Sequence, residues 1–379
     1  MKKQIFFFLF LVLLVPALFA ESFPVKAAVE PFVGENGVAG AVTVVADKDK
    51  VLQLDVFGYA NLEDNVPMSG DTPIWIASQS KPITAVAVMM LVEEGKLDLD
   101  KPITDYLPEL AELRVGVKQE DGNTLLVPLT SPITLRLLLS HKSGMVWVPS
   151  LQQKHRIDVL PFSKAITTCV MTPLKSQPGT EHSYSNMGIN IAATAVEQVT
   201  EMPFEDFLQK RLFAPLGMQA TTFWPTSEQM KKLAIIYRRD KESGRLVPVP
   251  NSQLTYPLED RKIRYPEAAG GLFSTPNDLV KFYQMLLGKG EYHGVRLLKP
   301  ESVAAIAEKQ LGFPHDYGLG FRTKGGVFGH AGAAGTDSLV DTNLDLTYLW
   351  FVQEQGIPEA GKAKEAFFTV VRETAKKRQ

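Results

Sequence analysis

A lysine stands three positions after a serine only once in this chain, at Ser78 and Lys81, within "IASQSKPITA". Pro82 follows directly, and proline is tolerated only near a helix start. It places the start of the helix around Ile83 close to Ser78, at the positive end of the helix dipole. Free backbone N–H groups there can stabilise a developing oxyanion. Residues three apart share a helix face, so Lys81 can reach back to the Ser78 hydroxyl. A buried lysine has its ammonium form disfavoured and can act as a base. Together the pair reads as an activated nucleophile. The same residues also read as a serine cap followed by a solvated lysine. What favours chemistry is the helix that Lys81 opens. Ile83, Val86, Ala87, Met90 and Leu91 form one apolar face, and Val88, Met89 and Val92 fill the other. A helix apolar all round is buried, where an unpaired charge is costly.

Such a pair needs a further proton-shuttling group and a backbone edge to hold substrate. Tyr184-Ser185-Asn186, before the helical pattern Met187 to Val199, can present a phenol and an amide. Tyr59-Ala60-Asn61 offers the same types, but it ends a hairpin and reads as structural. For the edge, His330-Ala331-Gly332 stands out, with Gly329, Gly332 and Gly335 allowing close backbone approach. Lys142-Ser143-Gly144 and Lys324-Gly325-Gly326 are alternatives. No Gly-x-Ser-x-Gly elbow, His-Glu-x-x-His pair or phosphate-binding loop occurs, so rival serine, metal and nucleotide chemistries lack a motif. The histidines at 141, 155, 182, 293, 315 and 330 are scattered. No metal and no cofactor are expected.

The elements that must position these residues follow from the patterning. With 45% hydrophobic and 22% charged residues and a net charge of −2, the 379-residue chain has ordinary globular composition. It shows no basic stripe for nucleic acid. Lys2 and Lys3, the uncharged run Ile5 to Val15, and then Pro16, Ala17 and Ala20 read as a secretory signal peptide over 1–20, with an uncleaved anchor as the alternative. Export to a periplasm or beyond is expected, with no stable membrane span after signal removal. Cys169 is the sole cysteine, so no internal disulfide forms. Val38 to Ala46 and Val51 to Tyr59 form a hairpin pattern. Strand-like runs return at Gly318 to Thr323, Val327 to His330, Ser338 to Val340 and Leu346 to Val352, before a helix near 359–376. Between lie helical patterns at Ile133 to Leu139, Phe204 to Leu212 and Asn277 to Leu287. The expectation is an α+β fold: an antiparallel sheet built from both chain ends and flanked by helices (about 21–96 and 261–379), with a mostly helical lobe inserted (about 97–260).

The order Ser78-x-x-Lys81, Tyr184-x-Asn186, His330-x-Gly332 resembles the serine β-lactamase and penicillin-binding protein superfamily. It is most similar to the branch of class C β-lactamases, DD-peptidases and esterases. "IASQSKPITAVAVMMLVEEGKLDLDKPITDYLPEL" (76–110), "PITLRLLLSHKSGM" (132–145) and "EAAGGLFSTPNDLVKFYQMLL" (267–287) extend the likeness over about 30–355. The resemblance implies the β-lactamase/transpeptidase-like fold and an acyl-enzyme on Ser78. Lys81 and Tyr184 would exchange protons, and Asn186 would hold the acyl chain. The N–H groups of Ser78 and Ala333 would form the oxyanion hole, with His330 and Gly332 lining the cleft. It favours Tyr184 over Tyr59, makes Lys142-Ser143-Gly144 a structural turn and His141 a packing residue. Family members that hydrolyse β-lactams often carry Lys-Thr-Gly where this chain has His-Ala-Gly, and neutral histidine is no cation near pH 7. Arg322 or Lys324 is the candidate substitute. The expected activity is a carboxylesterase, D-Ala-D-Ala carboxypeptidase or D-amino-acid amidase acting on a small-molecule or peptide ester or amide. A penicillin-hydrolysing β-lactamase or a non-catalytic sensor is the alternative.

Overall fold

The computed structural model describes residues 22–34, 37–149, 162–254, 266–310 and 316–378. The leader-like segment, His155 and His315 lie outside them. After helix α1 (Val25–Val29) come strands β1 (Gly40–Ala46), β2 (Val51–Asn61) and β3 (Val66–Pro67). The turn between β1 and β2 is set by Asp47, whose carboxylate accepts from the N–H groups of Asp49 and Lys50, both at 2.8 Å. This Asx arrangement is why aspartate serves at a tight turn.

The middle of the chain supplies α2 (Ser80–Glu93), α3 (Leu135–Leu139), α4 (Asn186–Thr200), α5 (Phe204–Leu208) and α6 (Pro276–Leu287). Thr134, Ser185 and Thr275 cap α3, α4 and α6 through side-chain oxygens that accept backbone N–H bonds, each worth about 1 kcal/mol. The pattern from Phe204 to Leu212 is α-helical only to Leu208 and continues as a π turn over Gln209–Phe213. Strands β4 (Arg322–Lys324), β5 (Val327–Ala331), β6 (Asp337–Asp341) and β7 (Leu346–Val352) follow, then α7 (Pro358–Arg378).

These strands join one antiparallel sheet in the order β4-β5-β6-β7-β1-β2-β3, and short two-stranded ribbons lie outside it. The two chain ends meet where β1 pairs with β7, from Ala41 opposite Val352 to Ala46 opposite Thr347. Every residue of β1 and β7 is buried, because helices cover both sheet faces; such strands read as continuous apolar runs. On one face α1 and α7 pack through Val25, Phe367, Phe368 and Val371. On the other lie α2 and α6, with α4 beyond α2. Helix α2 is buried from Ser80 through Leu91, as its all-round apolar sequence requires.

One expected strand is shorter than its pattern. Of Gly318 to Thr323, only the last two residues enter β4. Gly320 takes φ +75° and lies so close to α2 that a β-carbon would be 2.7 Å from the Ala85 methyl. Its N–H donates to Leu139 O at 2.9 Å. The segment docks on α2 and α3 and cannot stay extended. Among the described residues no helix is long and apolar enough to cross a membrane.

Candidate active site

Ser78 sits in a 3-10 turn, Ala77–Gln79, directly before α2. The segment 268–272 clasps this turn. Ile76 N–H donates to Leu272 O at 3.1 Å, and Trp75 Nε1 donates to Gly270 O at 2.7 Å. Ser80 Oγ donates to Ala77 O at 2.7 Å and accepts from Leu272 N–H at 3.2 Å. Ala77 is held at φ +48°, a left-handed conformation that costs roughly 1–3 kcal/mol for a non-glycine residue and clusters at functional sites. His141, also in this region, is held at φ +60°.

Lys81 is fully buried. Its Nζ donates to Ser78 Oγ at 3.1 Å and to Ala269 O at 2.7 Å, and Ala269 N–H is anchored on Asn190 Oδ1 at 3.0 Å. Burial lowers the lysine's pKa from 10.5 to about 7, against the opposing pull of Glu267. The Tyr184 ring lies 4.7 Å from Lys81 Nζ. Desolvation raises the Tyr184 phenol to about 12, and a hydrogen bond with Ser78 offsets part of that rise. At neutral pH the site therefore holds a lysine that can take a proton and a tyrosine that can give one.

Asn186 donates from Nδ2 to Glu267 Oε1 at 3.3 Å. Its Oδ1 is buried and accepts nothing among the described residues, an orphan that suits a ligand N–H. Glu267 also accepts from Gln253 Nε2 at 2.9 Å. It is a carboxylate beside the candidate base that the sequence reading missed. Only its place at the head of the 267–287 segment hinted at it.

The facing wall is the end of β5. Gly332 packs on the nucleophile turn: an added β-carbon would be 2.5 Å from Ile76 O and 2.3 Å from Thr336 Oγ1. A backbone carbonyl cannot yield there, so Gly332→Ala is expected to destabilise the fold by about 1–3 kcal/mol. It should also lower any turnover about tenfold or more by displacing this wall. Thermal melts and kcat/KM for a chromogenic ester check both, and wild-type values in both would refute the packing argument. Ala333 is exposed just beyond.

His330 is buried, and burial with the nearby Lys81 charge lowers its pKa to about 3. Its Nδ1 is 2.6 Å from Ala331 O and its Nε2 is 3.0 Å from Tyr317 Oη. It is no cation. Arg322 is bound to Asp337 at 2.6 Å, and Lys364 reaches the other oxygen of that carboxylate at 3.0 Å. His141 packs as expected, but beside Tyr184, with ring centroids 4.4 Å apart. Tyr59 lies in β2 and is exposed. Gly144 takes φ +77° in a tight turn against Ser176. The structure thus brings Ser78, Lys81, Tyr184, Asn186, His330 and Gly332 into one neighbourhood. Among the described residues no cluster of histidine, cysteine and carboxylate side chains is arranged to hold a metal.

The model of the Beta-lactamase family matches residues 25–367. An uncharacterized protein of Mycobacterium tuberculosis (strain CDC 1551 / Oshkosh) is 32% identical over 350 residues, covering 83% of this chain and 86% of its own. Lovastatin esterase of Penicillium rubens is 31% identical over 255 residues, covering 65% of this chain and 62% of its own. Among solved structures, simvastatin synthase of Aspergillus terreus superposes with a TM-score of 0.79 at 23% identity, over 94% of this chain and 98% of that one. At that identity the likeness speaks for the fold.

Proposed function

The chain belongs to the beta-lactamase family of hydrolases, and on that footing we propose that it is a serine esterase working through an acyl-enzyme on Ser78. The observation that carries this reading is the buried Lys81, whose Nζ lies 3.1 Å from Ser78 Oγ and whose pKa is held at about 7. Neutral Lys81 takes the Ser78 proton as Oγ attacks the ester carbonyl carbon. The oxyanion rests against the N–H groups of Ser78 and Ala333. Collapse breaks the C–O bond to the leaving group, which leaves as an alcohol with a proton from Tyr184, and Lys81 returns a proton to the phenolate. Water then attacks the acyl carbon with the same groups in reverse, releasing the acid and restoring Ser78. The absence of a fixed cation on the β5 wall favours esters over peptides that end in a carboxylate, and the lovastatin esterase relative is in keeping with that choice. An amide is the second reading, favoured by the unpartnered Asn186 Oδ1.

The test is the pH dependence of kcat/KM for p-nitrophenyl butyrate. Only neutral Lys81 accepts a proton, so the rate is expected to fall about tenfold per pH unit below an apparent pKa near 7 and to level off above it. A profile flat from about pH 5.5 to about pH 8.5 would remove Lys81 from its role. Stoichiometric acylation of Ser78 without turnover would favour a sensor instead.

A further inference from the structure

Tyr317 bridges two histidines beside the candidate site, and the geometry allows only one placement of the protons when both rings are neutral. Ala331 O only accepts, so the 2.6 Å contact requires that His330 Nδ1 carry its proton. In the neutral ring Nε2 is then a bare acceptor, and Tyr317 Oη at 3.0 Å must donate to it. With its one proton engaged, the phenol oxygen accepts from His141 Nε2, 3.1 Å away. His141 Nδ1 is then bare, and Ser185 N–H donates to it at 3.2 Å. This last contact is independent of the first three and agrees with them. All three rings are buried, where half-satisfied polar chains are costly.

The chain joins two walls of the site. Ser185 lies between Tyr184 and Asn186 and caps α4, while His330 is the last residue but one of β5, the strand that faces the nucleophile. The groups around His330 are Lys81 and Arg322, which oppose its protonation, Tyr184, whose ring centre is 6.2 Å away, and Tyr317 itself. Arg322 is held by Asp337.

We infer that Tyr317 is a positioning and specificity residue: it fixes His330 as a neutral ring with both nitrogens engaged inside the protein, so the site takes esters whose leaving group carries no carboxylate. This deepens the esterase reading and rests on it for substrate choice; the proton placement does not.

The test has two arms. In the full chain labelled with ¹⁵N-histidine, long-range ¹H–¹⁵N spectra at about pH 7 are expected to show His330 protonated at Nδ1 and His141 at Nε2. The signals are assigned by their loss in His330→Gln and His141→Gln. In the second arm a phenyl ester is compared with its 3-carboxyphenyl twin bearing the same acyl group. Wild type is expected to favour the neutral ester by about tenfold or more in kcat/KM, and Tyr317→Phe to shrink that ratio about threefold or more, because the freed ring can bond or take a proton. The inference is overturned by a His330 ring that is cationic or protonated at Nε2, by equal use of the two esters in wild type, or by a ratio unmoved in Tyr317→Phe. If neither ester turns over and Ser78 takes no label, the esterase reading and the substrate choice fail together; the spectra of wild type still decide the proton placement.

Discussion

Lys81→Met is expected to lower kcat/KM for a p-nitrophenyl ester by about a thousandfold or more and to make the protein more stable at acidic pH. The two effects share one cause. Methionine fills the same buried path but cannot take a proton from Ser78. It also carries no charge to desolvate. The lysine's pKa falls from 10.5 to about 7 in the folded protein. Between those values the unfolded chain holds a proton that the folded one has lost, so folded stability rises with pH across that window. The penalty for burying the ammonium is fully present below about 7 and gone above about 10.5. It is on the order of 5 kcal/mol at most. Against it, methionine leaves Ala269 O without its donor, about 1–2 kcal/mol. Urea melts at about pH 6 and about pH 10 should show Lys81→Met ahead of wild type at the lower pH, with the lead gone or reversed at the higher. An equal gap at both would mean that Lys81 is not held near neutrality.

Ser78→Ala is expected to remove turnover by about ten-thousandfold or more, to the background of the uncatalysed ester. Its stability should stay within about 1 kcal/mol of wild type, since Ser78 is only half-buried and Lys81 keeps its bond to Ala269 O. Folded protein with no activity separates a lost nucleophile from a lost fold. The pairing with Lys81→Met adds a further check. If the two residues act as one unit, the double variant loses hardly more than Ser78→Ala alone.

Much of this site was legible because its central pair is local. Ser78 and Lys81 lie within one turn of chain, and the apolar sequence on all sides of α2 said that the lysine is buried. The sheet was legible for a similar reason: β1 and β7 are continuous apolar runs, as strands covered on both faces must be. Glu267 and Tyr317 were harder to see. Each acts through partners outside its own local segment, Lys81, Asn186 and Gln253 for one, His141 and His330 for the other. Nothing in the local pattern marks a tyrosine that will sit between two imidazoles. The false strand at Gly318 to Phe321 has the opposite origin. Its residues suit a strand, but the positive φ of Gly320 is imposed by close packing on α2. His330 shows how far a residue type alone can go. The sequence presented a histidine where a cation is often found, and burial beside Lys81 made it neutral.

Every proposed step depends on acylation of Ser78. Intact-protein mass spectrometry after treatment with a fluorophosphonate, followed by peptide mapping, tests it directly. The predicted result is one adduct per chain, on Ser78, absent from Ser78→Ala and strongly slowed in Lys81→Met. Ester turnover by a chain that carries no adduct at Ser78, or carries it on another residue, would contradict the account.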